Sequence, residues 1–138
     1  MEGKQLAQTR EEANFNEVLH DTDDFKSMET VALTQFDGKP CYQLKMVKKS
    51  DSEITEFYDA KSALLVGVIA SQETPFGALV VTNILSGYTR YGDVLFATKT
   101  RQTMGPIEMV MTISSFELNA VAESVFELPE PIKALIKK

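Results

Sequence analysis

From Met28 to Phe116 the chain reads as one extended segment after another, separated only by short turns. Strands joined this tightly pair with their sequence neighbours, so the run predicts an antiparallel meander. The first strand spans about Met28 to Phe36, with Val31 and Leu33 on one face, and Asp37-Gly38 supplies a two-residue hairpin signal. Pro40 follows the turn, where a missing amide is tolerated at a strand start. Tyr42, Leu44 and Met46 then alternate with Gln43 and Lys45. After the turn-forming Ser50-Asp51-Ser52, a third strand runs from about Glu53 to Tyr58, and Asp59-Ala60-Lys61-Ser62 has the form of a type I turn.

The next two strands differ in kind. Leu64 to Ile69 and Ala78 to Val81 are apolar at both sets of alternating positions, the pattern of strands covered on both faces, and this marks them as central. Thr74-Pro75-Phe76-Gly77 joins them, and Gly87 inside the second predicts a bulge or sharp bend. Val94 to Gln102 follows, then Gly105-Pro106 turns the chain into Ile107 to Phe116. In that strand Ile107, Met109, Met111 and Ile113 share a face, opposite Glu108, Thr112 and Ser114. Long, bent strands in sequential order favour a half-barrel over a compact sandwich.

Upstream, Thr9-Arg10-Glu11-Glu12 has capping-box spacing, and Phe15, Val18 and Leu19 make one apolar stripe. A helix over about residues 9–20 is expected to lie on the sheet. The predicted class is therefore α+β, mostly β: one domain over residues 1–138, with about seven strands in a curved meander over 28–116. A tail over 117–138 holds an extended Phe126-Glu127-Leu128-Pro129 and one helical turn through Ile132 to Ile136.

Composition narrows the functions. The net charge of −6 repels phosphate backbones and the 14 Lys and Arg are scattered, which argues against nucleic-acid binding. No apolar run reaches the roughly 20 residues of a membrane-spanning helix. Residues 1–30 hold eight acidic side chains against three basic ones, so the acidic character belongs to the N-terminal segment. The opening Met-Glu-Gly-Lys-Gln lacks an apolar signal core, which fits either a cytosolic chain or a part of a longer precursor.

Catalytic signals are absent. Cys41 is the only cysteine and His20 the only histidine, so an internal disulfide, a thiolate cluster and a three-histidine zinc site are all ruled out. Asp21, Asp23 and Asp24 lack the glycine and distal glutamate of a calcium loop and read as a solvated turn. Glu53, Glu56 and Asp59 read as a polar face, since Glu53 shares a side with Asp59 but not with Glu56. The seven glycines form no phosphate-cradling loop, and Tyr88, Arg90 and Tyr91 read as sheet packing. No enzyme activity, metal or cofactor is expected.

What stands out is apolar sheet surface in excess of the helix available to cover it. A helix of about 12 residues spans only about 18 Å, too short to shield two-sided strands. Met46, Phe96, Met109, Met111 and Ile113, with Met104 nearby, fit two readings: the lining of an adaptable apolar ligand site, or core residues beneath the curled sheet. If Met109 is core, Met109→Asp should cost several kcal/mol by burying an unpaired charge.

Phe36-Asp37-Gly38-Lys39-Pro40-Cys41-Tyr42-Gln43-Leu44 and Phe57 to Val66 resemble segments of the LolA/LolB-like superfamily of bacterial envelope proteins. Thr74-Pro75-Phe76-Gly77, Tyr88 to Leu95 and Phe126-Glu127-Leu128-Pro129 are similar too. The resemblance implies an unclosed, strongly curved antiparallel barrel with helices plugging its concave side, where the type proteins carry lipoprotein acyl chains. The chain is shorter than a full carrier and has neither tryptophan nor a lipid-attachment cysteine near its start, so it resembles a truncated, C-terminal-type member. The resemblance implies a periplasmic or secreted, non-enzymatic domain binding a lipid or other apolar ligand on the concave sheet face. A protein-interaction or accessory domain, docking a neighbouring domain or a second copy through its apolar face, is the other expectation.

Overall fold

The structure is a computed structural model and describes residues 24–74, 77–117 and 120–136, with Leu6, Thr9, Arg10 and Ala13. Seven strands form one antiparallel sheet in strict sequence order: β1 (Phe25–Phe36), β2 (Lys39–Lys48), β3 (Glu53–Asp59), β4 (Leu65–Thr74), β5 (Gly77–Tyr91), β6 (Val94–Met104) and β7 (Ile107–Thr112). This is the open meander that the turn chemistry predicts.

The turns follow from their residues. Asp37 and Gly38 both take positive φ, 46° and 76°, as a type I′ hairpin requires. At the β2–β3 turn Asp51 has φ 68° and its amide donates to the Lys48 carbonyl at 3.0 Å. Between β3 and β4 the Asp59 carboxylate accepts from the Lys61 amide (3.0 Å), the Ser62 amide (2.7 Å) and the Ser62 hydroxyl (2.9 Å). Those bonds, the Ser62 ones above all, hold its pKa below the usual carboxylate range.

Three expectations need narrowing or correcting. Of the two forms expected at Gly87, the bend fits and the bulge does not: its φ is 64°, and β5 and β6 stay in register from Ser86↔Lys99 to Tyr88↔Ala97. The register irregularities lie instead in β1, between Phe25 and Ser27 and between Thr30 and Ala32, and between β3 and β4 at Phe57/Tyr58. Secondly, two-sided cover holds for β4 but not for the start of β5, where Val80 is 61% exposed. An apolar pattern records what a residue prefers; it does not supply the layer that covers it. Thirdly, the helix seen in full is C-terminal rather than N-terminal. It is α1 (Glu130–Ile136), preceded by a 3-10 turn at Glu123–Phe126.

The helix expected over 9–20 falls mostly outside the described residues, where Thr9 and Arg10 are helical and the Ala13 amide donates to the Thr9 carbonyl at 3.0 Å. α1 buries none of its residues, and Leu135 and Ile136 face solvent. It is not a plug for the sheet. Among the described residues the buried apolar ones are few: Cys41, Met46, Phe57, Val66 and Val81.

Candidate functional site

Cross-strand register sorts the side chains onto two faces. The row Gln43, Phe57, Gly67, Ile84, Arg101 and Val110 lies on one face, and the row Leu44, Glu56, Val68, Asn83, Gln102 and Met109 lies on the other.

The first face is where the sheet rolls onto itself. Phe36, at the end of β1, stacks on Phe57 of β3 with ring centroids 4.1 Å apart and planes 13° apart. Its ring crosses Gly67 of β4 so closely that a Cβ there would stand 2.1 Å from a Phe36 ring carbon. Cys41 and Val66 complete this cluster, with Ile69 at its edge. From the adjoining turn, the Asp37 carboxylate accepts from the Arg101 guanidinium of β6 at 2.7 Å. Four strand spacings separate β2 from β6, about 19 Å if the sheet were flat, beyond an arginine's reach. The β1–β2 hairpin therefore curls diagonally over this face. Gly67 is the residue that the sequence patterning missed; a glycine inside an apolar strand run is itself a signal of close approach.

The second face carries the methionines. Register puts Met46 in a row with Met28, Ile54, Ala70, Val81, Met104 and Ile107, and puts Met111 opposite Thr100 and Leu85. Phe96 pairs with Thr89 on the same side, and Phe116 closes one end of the face, 5.4 Å from Phe96 and 5.5 Å from Tyr91. The amide of Ile113 continues the β6–β7 ladder by donating to Thr98 at 2.8 Å, which keeps Ile113 in phase with Met111.

These residues differ in burial. Met46 is 2% exposed and belongs to the core, Ile113 is half-buried, Met109 and Met111 are 55% and 58% exposed on β7, and Phe96, also exposed, lies farther along β6 on the same face. The expected place of this set is the concave side. Along the diagonal of the β1–β2 curl, however, it lies on the outer face. A twisted sheet is saddle-shaped, so a face that is outer along one diagonal is inner along the other.

Within the apolar field lies a short polar seam. Asn83 Oδ1 accepts from Gln102 Nε2 at 2.9 Å, and the buried Glu56 carboxylate accepts from the Tyr58 hydroxyl at 2.7 Å. Burial first, and then the Glu56 carboxylate, push the Tyr58 phenol far up.

The other candidate groups do not converge. Glu53 pairs with Lys45 at 3.0 Å, Glu56 is bonded to Tyr58, and Asp59 is bound in its turn. Tyr88 donates its hydroxyl to the Leu65 carbonyl, on the face opposite Tyr91. His20, Asp21 and Asp23 lie outside the described residues. Among the described residues, no three His, Cys, Asp or Glu side chains stand together as a metal site, and no helix is long and apolar enough to cross a membrane.

Compared as a sequence, the chain matches no family model and no curated protein. Compared as a structure, it is similar to the crystal structure of a domain named for outer membrane lipoprotein sorting, from Vibrio parahaemolyticus. The TM-score is 0.57 at 16% identity, over 86% of this chain and 51% of that one. This chain thus spans about half the length of that structure. At this identity the likeness is one of fold alone, the open antiparallel sheet described above.

Proposed function

We propose that this chain is a non-enzymatic, periplasmic or secreted domain that holds an apolar ligand, such as a lipid acyl chain, against the sheet face bearing Phe96, Met109 and Met111. The exposure of those side chains carries the reading, because contiguous apolar surface left in solvent marks an interaction site. Methionines on such a surface adapt to a chain of variable shape. Ile113 borders them and Phe116 closes one end, while Met46 lies buried in β2 farther across the same face. The similarity to a domain named for lipoprotein sorting supports the choice of ligand class.

Each buried methylene contributes about 0.8 kcal/mol, so ten of them give about 8 kcal/mol, roughly micromolar affinity before ordering costs. Native mass spectrometry of the protein purified without detergent tests the reading, with co-purified lipid expected. Since Met109 is exposed, Met109→Asp should leave the fold intact and remove the lipid. A parent protein that carries no lipid and takes up no fatty acid on titration overturns the proposal, and the docking reading for the same face then stands in its place.

A further inference from the structure

β7 is the last strand of the sheet, and all six of its residues are exposed. The β6–β7 ladder runs from Lys99↔Thr112 to Met104↔Ile107 without a register shift, and the Ile113 amide donates to Thr98 at 2.8 Å. Antiparallel ladders alternate bonded with non-bonded pairs. Ile107, Met109, Met111 and Ile113 therefore turn their backbone groups towards β6, while Glu108, Val110 and Thr112 turn theirs outward, unpaired among the described residues. Natural edges are guarded by Lys, Pro, bulges or inward charges. β7 has none of these, and its one charge, Glu108, faces Arg101 within the chain at 3.8 Å. The opposite edge, β1, carries Lys26, Glu29 and two register irregularities.

We propose that two copies of this chain join edge to edge through β7, antiparallel about a twofold axis at Val110. Val110 then faces its own counterpart, Glu108 faces the second copy's Thr112, and Met109 faces the second copy's Met111. Each outward residue donates one hydrogen bond and accepts one. An axis at Met109 would instead set Thr112 against Pro106, which has no amide to give. In the Val110 register no like charges oppose each other. Pairing of β7 with β1 would run head to tail, without closing, along a strand whose irregularities break the ladder. The twofold pair closes, and it merges the methionine faces of the two copies into one surface. It rests on edge geometry and not on the ligand reading.

Sedimentation velocity on lipid-free protein should show a dimer that dissociates on dilution. In the dimer, amide exchange followed by NMR should protect Glu108, Val110 and Thr112, and dilution should remove that protection while Met109 and Met111 keep theirs. Val110→Pro removes an outward amide without touching the β6 ladder, and Val110→Lys sets two ammonium groups side by side at the axis. Both should sediment as monomers with the parent's circular dichroism. A monomer at every concentration overturns the proposal, as does a dimer that survives both substitutions or leaves the three amides unprotected. Should Val110→Pro fail to fold, Val110→Lys and the exchange pattern of the parent decide. Because no lipid is present, failure here leaves the ligand reading untouched.

Discussion

Tyr58 shows how one buried contact becomes a pH dependence. Its hydroxyl donates to the buried Glu56 carboxylate at 2.7 Å, and burial together with that anion raises the phenol's pKa when folded. A raised folded value stabilises the native state below the unfolded tyrosine pKa, about 10, and this contribution is lost as pH rises above it. Denaturant midpoints should therefore hold steady to about pH 10 and then fall. Tyr58→Phe should flatten that fall while costing about 1–3 kcal/mol at neutral pH, because it takes a donor from a buried carboxylate. An unchanged alkaline limb in the variant would show that another group controls it.

Gly67 belongs to the same scale with opposite chemistry. A methyl group there meets the Phe36 ring at 2.1 Å, and the ring is already fixed against Phe57. Gly67→Ala should cost about 1–3 kcal/mol by overpacking. In urea unfolding, Phe36→Ala should recover part of that loss, so that the double substitution is less than additive. Strict additivity would mean that the ring does not sit where the stacking places it.

At the scale of elements, strand order was legible because it rests on local chemistry. Asp37-Gly38, Ser50-Asp51-Ser52 and Asp59 to Ser62 each dictate a reversal by their own backbone and side-chain bonds. The curl was not legible, since Phe36 over Gly67 and Asp37 with Arg101 join residues far apart in the chain. Nor was the fate of the methionines: Met46 and Met109 have the same alternating pattern, yet one lies in a second-rank strand and the other on the sheet's edge. Position in the sheet decides burial, and periodicity does not report it. The Asp37–Arg101 pair marks the curl more than it holds it, because both partners are substantially exposed and such pairs contribute about 0–1 kcal/mol. Asp37→Asn, which keeps a residue that tolerates the left-handed turn while removing the charge, should lower stability by no more than that, with an effect that shrinks in high salt. A larger, salt-independent loss would make the ion pair the cause of the curl.

For the whole molecule, the balance between core and surface is the governing fact. Among the described residues, five buried apolar side chains, set against exposed Val80, Met109 and Met111 on the sheet and Leu135 and Ile136 in α1, leave apolar area whose burial would add stability. A ligand that covers this area binds the folded chain and not the unfolded one, so it must raise the melting temperature by mass action. At a hundredfold excess over its dissociation constant the gain is about 2.7 kcal/mol, a shift of several degrees for a domain of this size. Long-chain fatty acid should therefore raise the melting temperature in calorimetry, and a short-chain acid with the same carboxylate should not. Met111→Asp should leave the ligand-free melting temperature close to the parent's, since that side chain lies largely in solvent, while abolishing the shift. A shift of equal size in the variant would move the ligand off the methionine face, and a shift with the short acid would make the carboxylate, not the apolar surface, the group recognised.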